Sequence, residues 1–128
     1  MRLLLVEDNP IIGNAVRDHL CADGWSVDWS MNLESATGAV AAEPRDVVLL
    51  DLRLPDGSGL DVLKLMGARG DSTPVVVISA YDQLSDQIAA MRSGAVDYLV
   101  KPFALAEMAA RVRKAAMHGR LSRMRDVG

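Results

Sequence analysis

Five short apolar runs, each followed by a stretch with helical periodicity, constrain this chain more than any other feature of it. The runs are "LLLV" (Leu3 to Val6), "WSVDW" (Trp25 to Trp29), "VVLL" (Val47 to Leu50), "VVVIS" (Val75 to Ser79) and "YLV" (Tyr98 to Val100). Most are apolar at consecutive positions, so both faces of the strand must be covered, whereas "WSVDW" alternates as an edge strand does. Between them, Ile12, Ala15, Val16 and Leu20 recur at helical spacing and stop at Gly24. Asn32 opens a weaker helix with Leu33, Ala36 and Val40 on one side and Pro44 past its end. Leu60, Leu63 and Met66 form a third stripe, Ile88 and Met91 mark a fourth helix, and a long fifth helix is expected from about Ala106 to Arg120. Strands buried on both faces and alternating with helices make a parallel sheet with helices on either side. The expected class is therefore α/β, doubly wound.

At 128 residues the chain buries a core of ordinary size as one domain. One cysteine, Cys21, and two histidines, His19 and His118, leave no basis for a disulfide framework or a zinc site. No apolar run approaches the roughly 20 residues of a membrane span, and "MRLLLVEDN" turns acidic too soon for a signal peptide. A soluble, cytoplasmic protein is expected. The net charge of −3 is unevenly spread. Residues 1–100 carry 7 Lys/Arg against 15 Asp/Glu, and residues 101–128 carry 7 against 2. The basic end reads as a solvated helix face and tail, since "HGRLSRMRDVG" has no aromatic to stack on a base and no groove-reading motif.

In an open parallel sheet, ligands sit beyond the carboxyl ends of the strands. Glu7 and Asp8 follow the first run, Asp51 ends the third, Ser79 ends the fourth and Lys101 follows the fifth. Each acid taken singly is explained as a helix cap. Three at one end of a sheet are not, because two unit charges about 4 Å apart repel by roughly 4 kcal/mol at an effective dielectric of 20. A cation is expected among them. Carboxylates with a carbonyl and water suit a hard divalent ion, and magnesium in particular tends to bind alongside phosphate. Lys101 adds a mobile positive charge and Ser79 a hydroxyl donor, both suited to a phosphoryl group. The chemistry indicated is phosphoryl transfer onto a carboxylate, with Asp51 as nucleophile.

The blocks "VEDN", "LLDLRLPDGSGLDVL", "VVVISA" and "GAVDYLVKPF" closely resemble the receiver domain of two-component response regulators, above all those of the OmpR and PhoB winged-helix type. The resemblance spans residues 1 to 118. It implies a CheY-like, flavodoxin-like (βα)5 fold with five parallel strands in the order 2-1-3-4-5. It further implies that Asp51 accepts a phosphoryl group from a sensor histidine kinase, and that Glu7, Asp8, Asp51 and the Arg53 backbone carbonyl hold Mg2+. Lys101 would contact the phosphate, and the Lys101–Pro102 peptide would be cis. Ser79 and the small Ala80 sit where the family has its switch hydroxyl and the small residue beside it, and Tyr98 matches the switch aromatic.

The same resemblance implies homodimerisation through the face of the fourth helix, fifth strand and fifth helix, where Asp97, Glu107 and Arg111 match charged positions. Gln87, Arg92 and Val96 depart from the family there, so the intermolecular ion-pair network is expected to be thinner or differently wired. Residues 1–120 are expected to form the receiver domain. Residues 121–128 would begin a linker to a C-terminal DNA-binding domain lying outside this chain, through which alone DNA would be bound and transcription controlled. The alternative is a receiver that acts by docking to proteins, as a phosphorelay shuttle does. In either case the protein is not expected to be an enzyme beyond assisting chemistry at its own Asp51. Other classes fail on named residues. A haloacid-dehalogenase-type phosphatase wants a second acid where Arg53 stands, a flavodoxin wants a Ser/Thr/Gly loop where "EDNP" stands, and a dinucleotide fingerprint fails at Val62.

Overall fold

A computed structural model of the protein describes residues 1–80 and 83–127, with side chains as far as Leu121. Five strands form one parallel sheet: β1 (Arg2–Val6), β2 (Ser26–Ser30), β3 (Val47–Asp51), β4 (Val75–Ser79) and β5 (Asp97–Val100). Their spatial order is β2-β1-β3-β4-β5, the order that the family resemblance implies, within the doubly wound class expected from the alternation of runs. The connections are α1 (Pro10–Ala22), α2 (Leu33–Ala42), α3 (Leu60–Ala68) and α4 (Leu84–Arg92), and α5 (Leu105–Val127) follows β5. A two-residue antiparallel ladder, Arg53–Leu54 against Gly57–Ser58, closes the loop between β3 and α3.

Because side chains alternate along a strand, each central strand feeds two cores. Leu3, Leu5, Val47, Leu49, Val76 and Ile78 pack on the side of Val16, Leu20, Met108 and Val112, which come from α1 and α5. Leu4, Val6, Val48, Leu50, Val75 and Val77 face Ala36, Val62, Met66 and Ala90, from α2, α3 and α4. This is why the apolar runs are continuous. Val47 to Leu50 are all buried, and burying each such side chain is worth about 1.5–3 kcal/mol before ordering costs. That anchorage fixes the strand end that carries Asp51.

The helix starts follow from their caps. The Asn9 side chain accepts from the N–H groups of Ile11 and Ile12, with Pro10 at the first helical position. Asn32 accepts from Ser35 N–H at the head of α2, and Asp56, reaching across from the loop after β3, accepts from Leu33 and Glu34 N–H at 2.7 and 3.0 Å. Two residues therefore satisfy three of the free donors of α2.

Several sequence expectations need correction. In α1, Ala15 is exposed and Gly13, not it, shares the inner face with Val16 and Leu20. In α4, Ile88 and Met91 are exposed, and the inward residue is Ala90. A nine-residue helix seated on the sheet through a small residue leaves its larger apolar side chains outside. The fifth helix continues to Val127 instead of ending near Arg120, since "RLSRMRDV" contains neither proline nor glycine to stop it.

Candidate functional site

The carboxyl ends of β1, β3, β4 and β5 meet in an acidic pocket. Asp51, the last residue of β3, is 3 % exposed, and Glu7, one residue past β1, is fully buried. Asp8 beside it is exposed. One oxygen from each of Glu7, Asp8 and Asp51 can be chosen so that all three lie within 4.8 Å of one another. Strand register explains the convergence. Asp51 pairs with Ile78, so Ser79 lies one step further along β4, and Ser79 pairs with Val100, so Lys101 leaves β5 beside it. Lys101 N–H donates to the Ser79 carbonyl at 2.7 Å, which sets the start of the last loop. The Ser79 side chain is buried, and the Lys101–Pro102 peptide is cis.

Lys101 is the cation of this pocket. Its Nζ lies 2.9 Å from Asp51 Oδ2 and 2.5 Å from Glu7 Oε1. The first is a hydrogen bond; the second is a close ion-pair contact in which Glu7 Oε1 finds no well-angled donor. Burial pushes the Glu7 carboxyl up to about 7, a hydrogen bond shared with Asp51 adds to the rise, and Lys101 opposes it. Burial pulls the Lys101 ammonium down, but its close contacts with the Glu7 and Asp51 carboxyl oxygens outweigh that and leave it raised. Asp51 Oδ1 accepts from Arg53 N–H at 3.1 Å, which tucks the loop after β3 against the acid. Gly59 is required at the end of this loop, since a Cβ there would lie 2.3 Å from the Asp51 carbonyl oxygen. One lysine serves two buried acids, one of which has a high proton affinity and an oxygen without a proper donor. That donor set, oxygen throughout, fits a hard divalent cation.

The remaining expected residues lie away from the pocket or at its rim. Arg53 is exposed. Tyr98 is half-buried on β5, packs against the core beneath α2, α3 and α4, and its N–H donates to Asp97 Oδ1. Asp97, Glu107 and Arg111 come together at the other end of β5. Arg111 donates to Asp97 at 2.7 Å and to Glu107 at 3.0 Å, and these contacts, Glu107 first, hold its guanidinium above the ordinary value. Arg92 and Val96 are exposed and Gln87 is half-buried. Three supporting residues were not singled out from sequence: Asn9, Asp56 and Trp29, whose indole N–H donates to the Glu7 carbonyl at 2.8 Å. Among the described residues no helix is long and apolar enough to cross a membrane.

A doubly wound sheet with an acidic pocket at the strand ends defines the CheY-like class, and solved structures agree. A CheY-like response regulator receiver domain protein from Methanospirillum hungatei superposes with a TM-score of 0.90 at 19 % identity, covering 94 % of this chain and 97 % of that one. The non-phosphorylated HemR receiver domain from Leptospira biflexa gives 0.84 at 30 % identity, covering 90 % and 93 %. The profile of the response regulator receiver domain matches residues 3–113, and the chain belongs to that family. Its curated relatives are response regulators of the OmpR and PhoB type. The transcriptional regulatory protein QseB of Haemophilus influenzae and the response regulator protein PmrA of Pseudomonas aeruginosa are each 42 % identical over 113 residues, which is 88 % of this chain and 51 % of either relative. The chain thus spans about half the length of the curated relatives it matches.

Proposed function

We propose that this receiver domain takes a phosphoryl group onto Asp51 from the phosphohistidine of a sensor histidine kinase and passes the change to its α4-β5-α5 face. In the transfer an Asp51 carboxylate oxygen attacks phosphorus, the P–N bond to the kinase imidazole breaks, and the electron pair leaves on that nitrogen. The observation that carries this reading is the nearly buried Asp51 at the end of β3, held 2.9 Å from Lys101 Nζ in a pocket with Glu7 and Asp8. Glu7, Asp8, Asp51 and the Arg53 carbonyl are the groups that would hold Mg2+, and the bound ion would supply charge neutralisation for the transferring group. Lys101 offers its ammonium to the phosphoryl oxygens once it no longer has to serve two acids. The new group carries nearly two negative charges and three acceptors, so it offers the Ser79 hydroxyl a strong acceptor at the end of β4. Movement of Ser79 and Tyr98 toward the pocket then biases the outer face, a local charge change read by a two-state element.

On that face α4 and the β5 approach present Leu84, Ile88, Met91 and Val96 to solvent, 42–69 % exposed. This supports homodimerisation there on phosphorylation. Control of transcription, which the name of the QseB relative states for that protein, would be exercised here through a DNA-binding domain outside this chain. Such a protein works in the cytoplasm.

The test is phosphorylation by acetyl phosphate with Mg2+, followed on phosphate-affinity gels and by intact mass. The wild-type chain is expected to gain one phosphoryl group, and Asp51→Asn none. Persistent labelling of Asp51→Asn at the same rate would overturn the assignment.

A further inference from the structure

Glu7 and Asp8 are consecutive, yet their carboxylates sit together with that of Asp51. Neighbouring residues of an extended strand project to opposite faces, so the chain must turn within the Glu7–Asp8 peptide to bring both inward. That peptide lies beyond the β1–β2 ladder, whose last pair is Val6 with Ser30. Glu7 N–H still donates to the Ser30 carbonyl, at 3.0 Å. The carbonyl of the same residue, which belongs to the turning peptide, accepts from the Trp29 indole N–H at 2.8 Å. The indole is fixed in turn. Its six-membered ring covers Gly13 so closely that a Cβ there would lie 2.0 Å from Cζ2, and the Arg17 guanidinium stands 5.5 Å from the ring centroid on a side chain held by Asn14.

We propose that Trp29 is a positioning residue for the cation site, its indole N–H holding the Glu7–Asp8 peptide in the turn that aims both acids at Asp51. The inference rests on the reading of the acidic pocket as a divalent-cation site. Trp29 hydrogen-bonds the Glu7 backbone carbonyl and not a carboxylate oxygen; it acts through the backbone.

The test is Mg2+ titration of the whole chain by calorimetry, with thermal unfolding of the metal-free protein in parallel. Trp29→Phe keeps an aromatic ring and loses the donor. Its Mg2+ dissociation constant is expected to rise about 3- to 10-fold as the turn loosens, and because the same hydrogen bond is present without metal its Tm is expected to fall by a few degrees as well. A lower Tm with unchanged Mg2+ affinity would mean packing alone and overturn the proposal. A second readout leaves Trp29 in place: in Trp25→Phe, Trp29 emission should change along the Mg2+ titration with the calorimetric dissociation constant, and a flat signal would overturn it. Gly13→Ala should weaken Mg2+ in the wild type by displacing the indole and add nothing in Trp29→Phe, where the distal ring is gone; equal weakening in both would count against the link. Failure of the wild type to bind Mg2+ at all would bring down the cation reading and this inference together. Normal wild-type binding with an unaffected Trp29→Phe would bring down this inference alone.

Discussion

At the residue scale the pocket holds an acid whose charge the fold resists. Glu7 has an ordinary value of 4.5 and is raised to about 7 in the folded chain, so between these pH values the folded state binds the extra proton. Unfolding then releases it, and stability of the metal-free protein falls as pH rises from about 4.5 through 7, the cost being complete above that. The total is on the order of 2–4 kcal/mol. Glu7→Gln keeps a donor toward Asp51 and an acceptor toward Lys101 but cannot ionise, so it is expected to flatten this slope in urea unfolding with a chelator present. Parallel profiles for the two proteins would refute the assignment. Gly59→Ala makes a second residue-scale prediction: its Cβ would sit 2.3 Å from the Asp51 carbonyl, against backbone that cannot yield cheaply, so a loss of roughly 2 kcal/mol or more is expected in the same assay. The acids, Ser79 and Lys101 were legible as residues because each stands at the end of an apolar run. Their sharing of Lys101 was not, because that depends on which side of β3 each strand pairs.

At the scale of elements, strands were more legible than helix faces. A central parallel strand is buried on both sides, so its apolar run announces it whatever lies above or below. Helix faces depend on what covers them, and α4 shows the difference: Ile88 and Met91 have helical spacing, but the sheet takes Ala90. Gly13 carried a usable signal, since an isolated glycine in a helical pattern often marks a close approach, here by Trp29. Asp56, not singled out from sequence, caps a helix 20-odd positions earlier, a tertiary relation that local pattern does not contain. Its two N–H partners, Leu33 first and then Glu34, hold its carboxyl below the ordinary range. The stability it contributes is therefore present above the ordinary carboxylate value and lost as pH falls through the lowered one. Asn9→Ala removes the cap of α1 and is expected to cost about 1 kcal/mol in urea unfolding, with Asn9→Asp close to wild type. No loss for the alanine variant would mean that Pro10 suffices to start the helix.

At the scale of the molecule, two regions stand apart: the acidic pocket at the carboxyl ends of the strands, and a paired charge cluster with exposed apolar residues on the side of α4, β5 and α5. The family resemblance points to charges for association, with departures at Gln87, Arg92 and Val96. Asp97, Glu107 and Arg111 are already paired within one chain, and exposed pairs of this kind contribute only about 0–1 kcal/mol. The apolar side chains of the same face have no such internal partner to leave; Leu84, Ile88, Met91 and Val96 gain most by being covered. Phosphate-dependent self-association should therefore depend on these residues and only weakly on salt. Ile88→Glu and Met91→Glu lie outside the acidic pocket, so they are expected to accept phosphate from acetyl phosphate as the wild type does. Each should raise the dimer dissociation constant of the phosphorylated protein at least about 10-fold, because a desolvated carboxylate without a partner costs more than the roughly 1.4 kcal/mol that this represents. Sedimentation velocity over a range of protein concentrations, with Asp51→Asn as the monomeric reference, measures it. Dimerisation of both glutamate variants at wild-type strength, or a wild-type dimer that dissolves in moderate salt, would shift the interface to the charged residues instead.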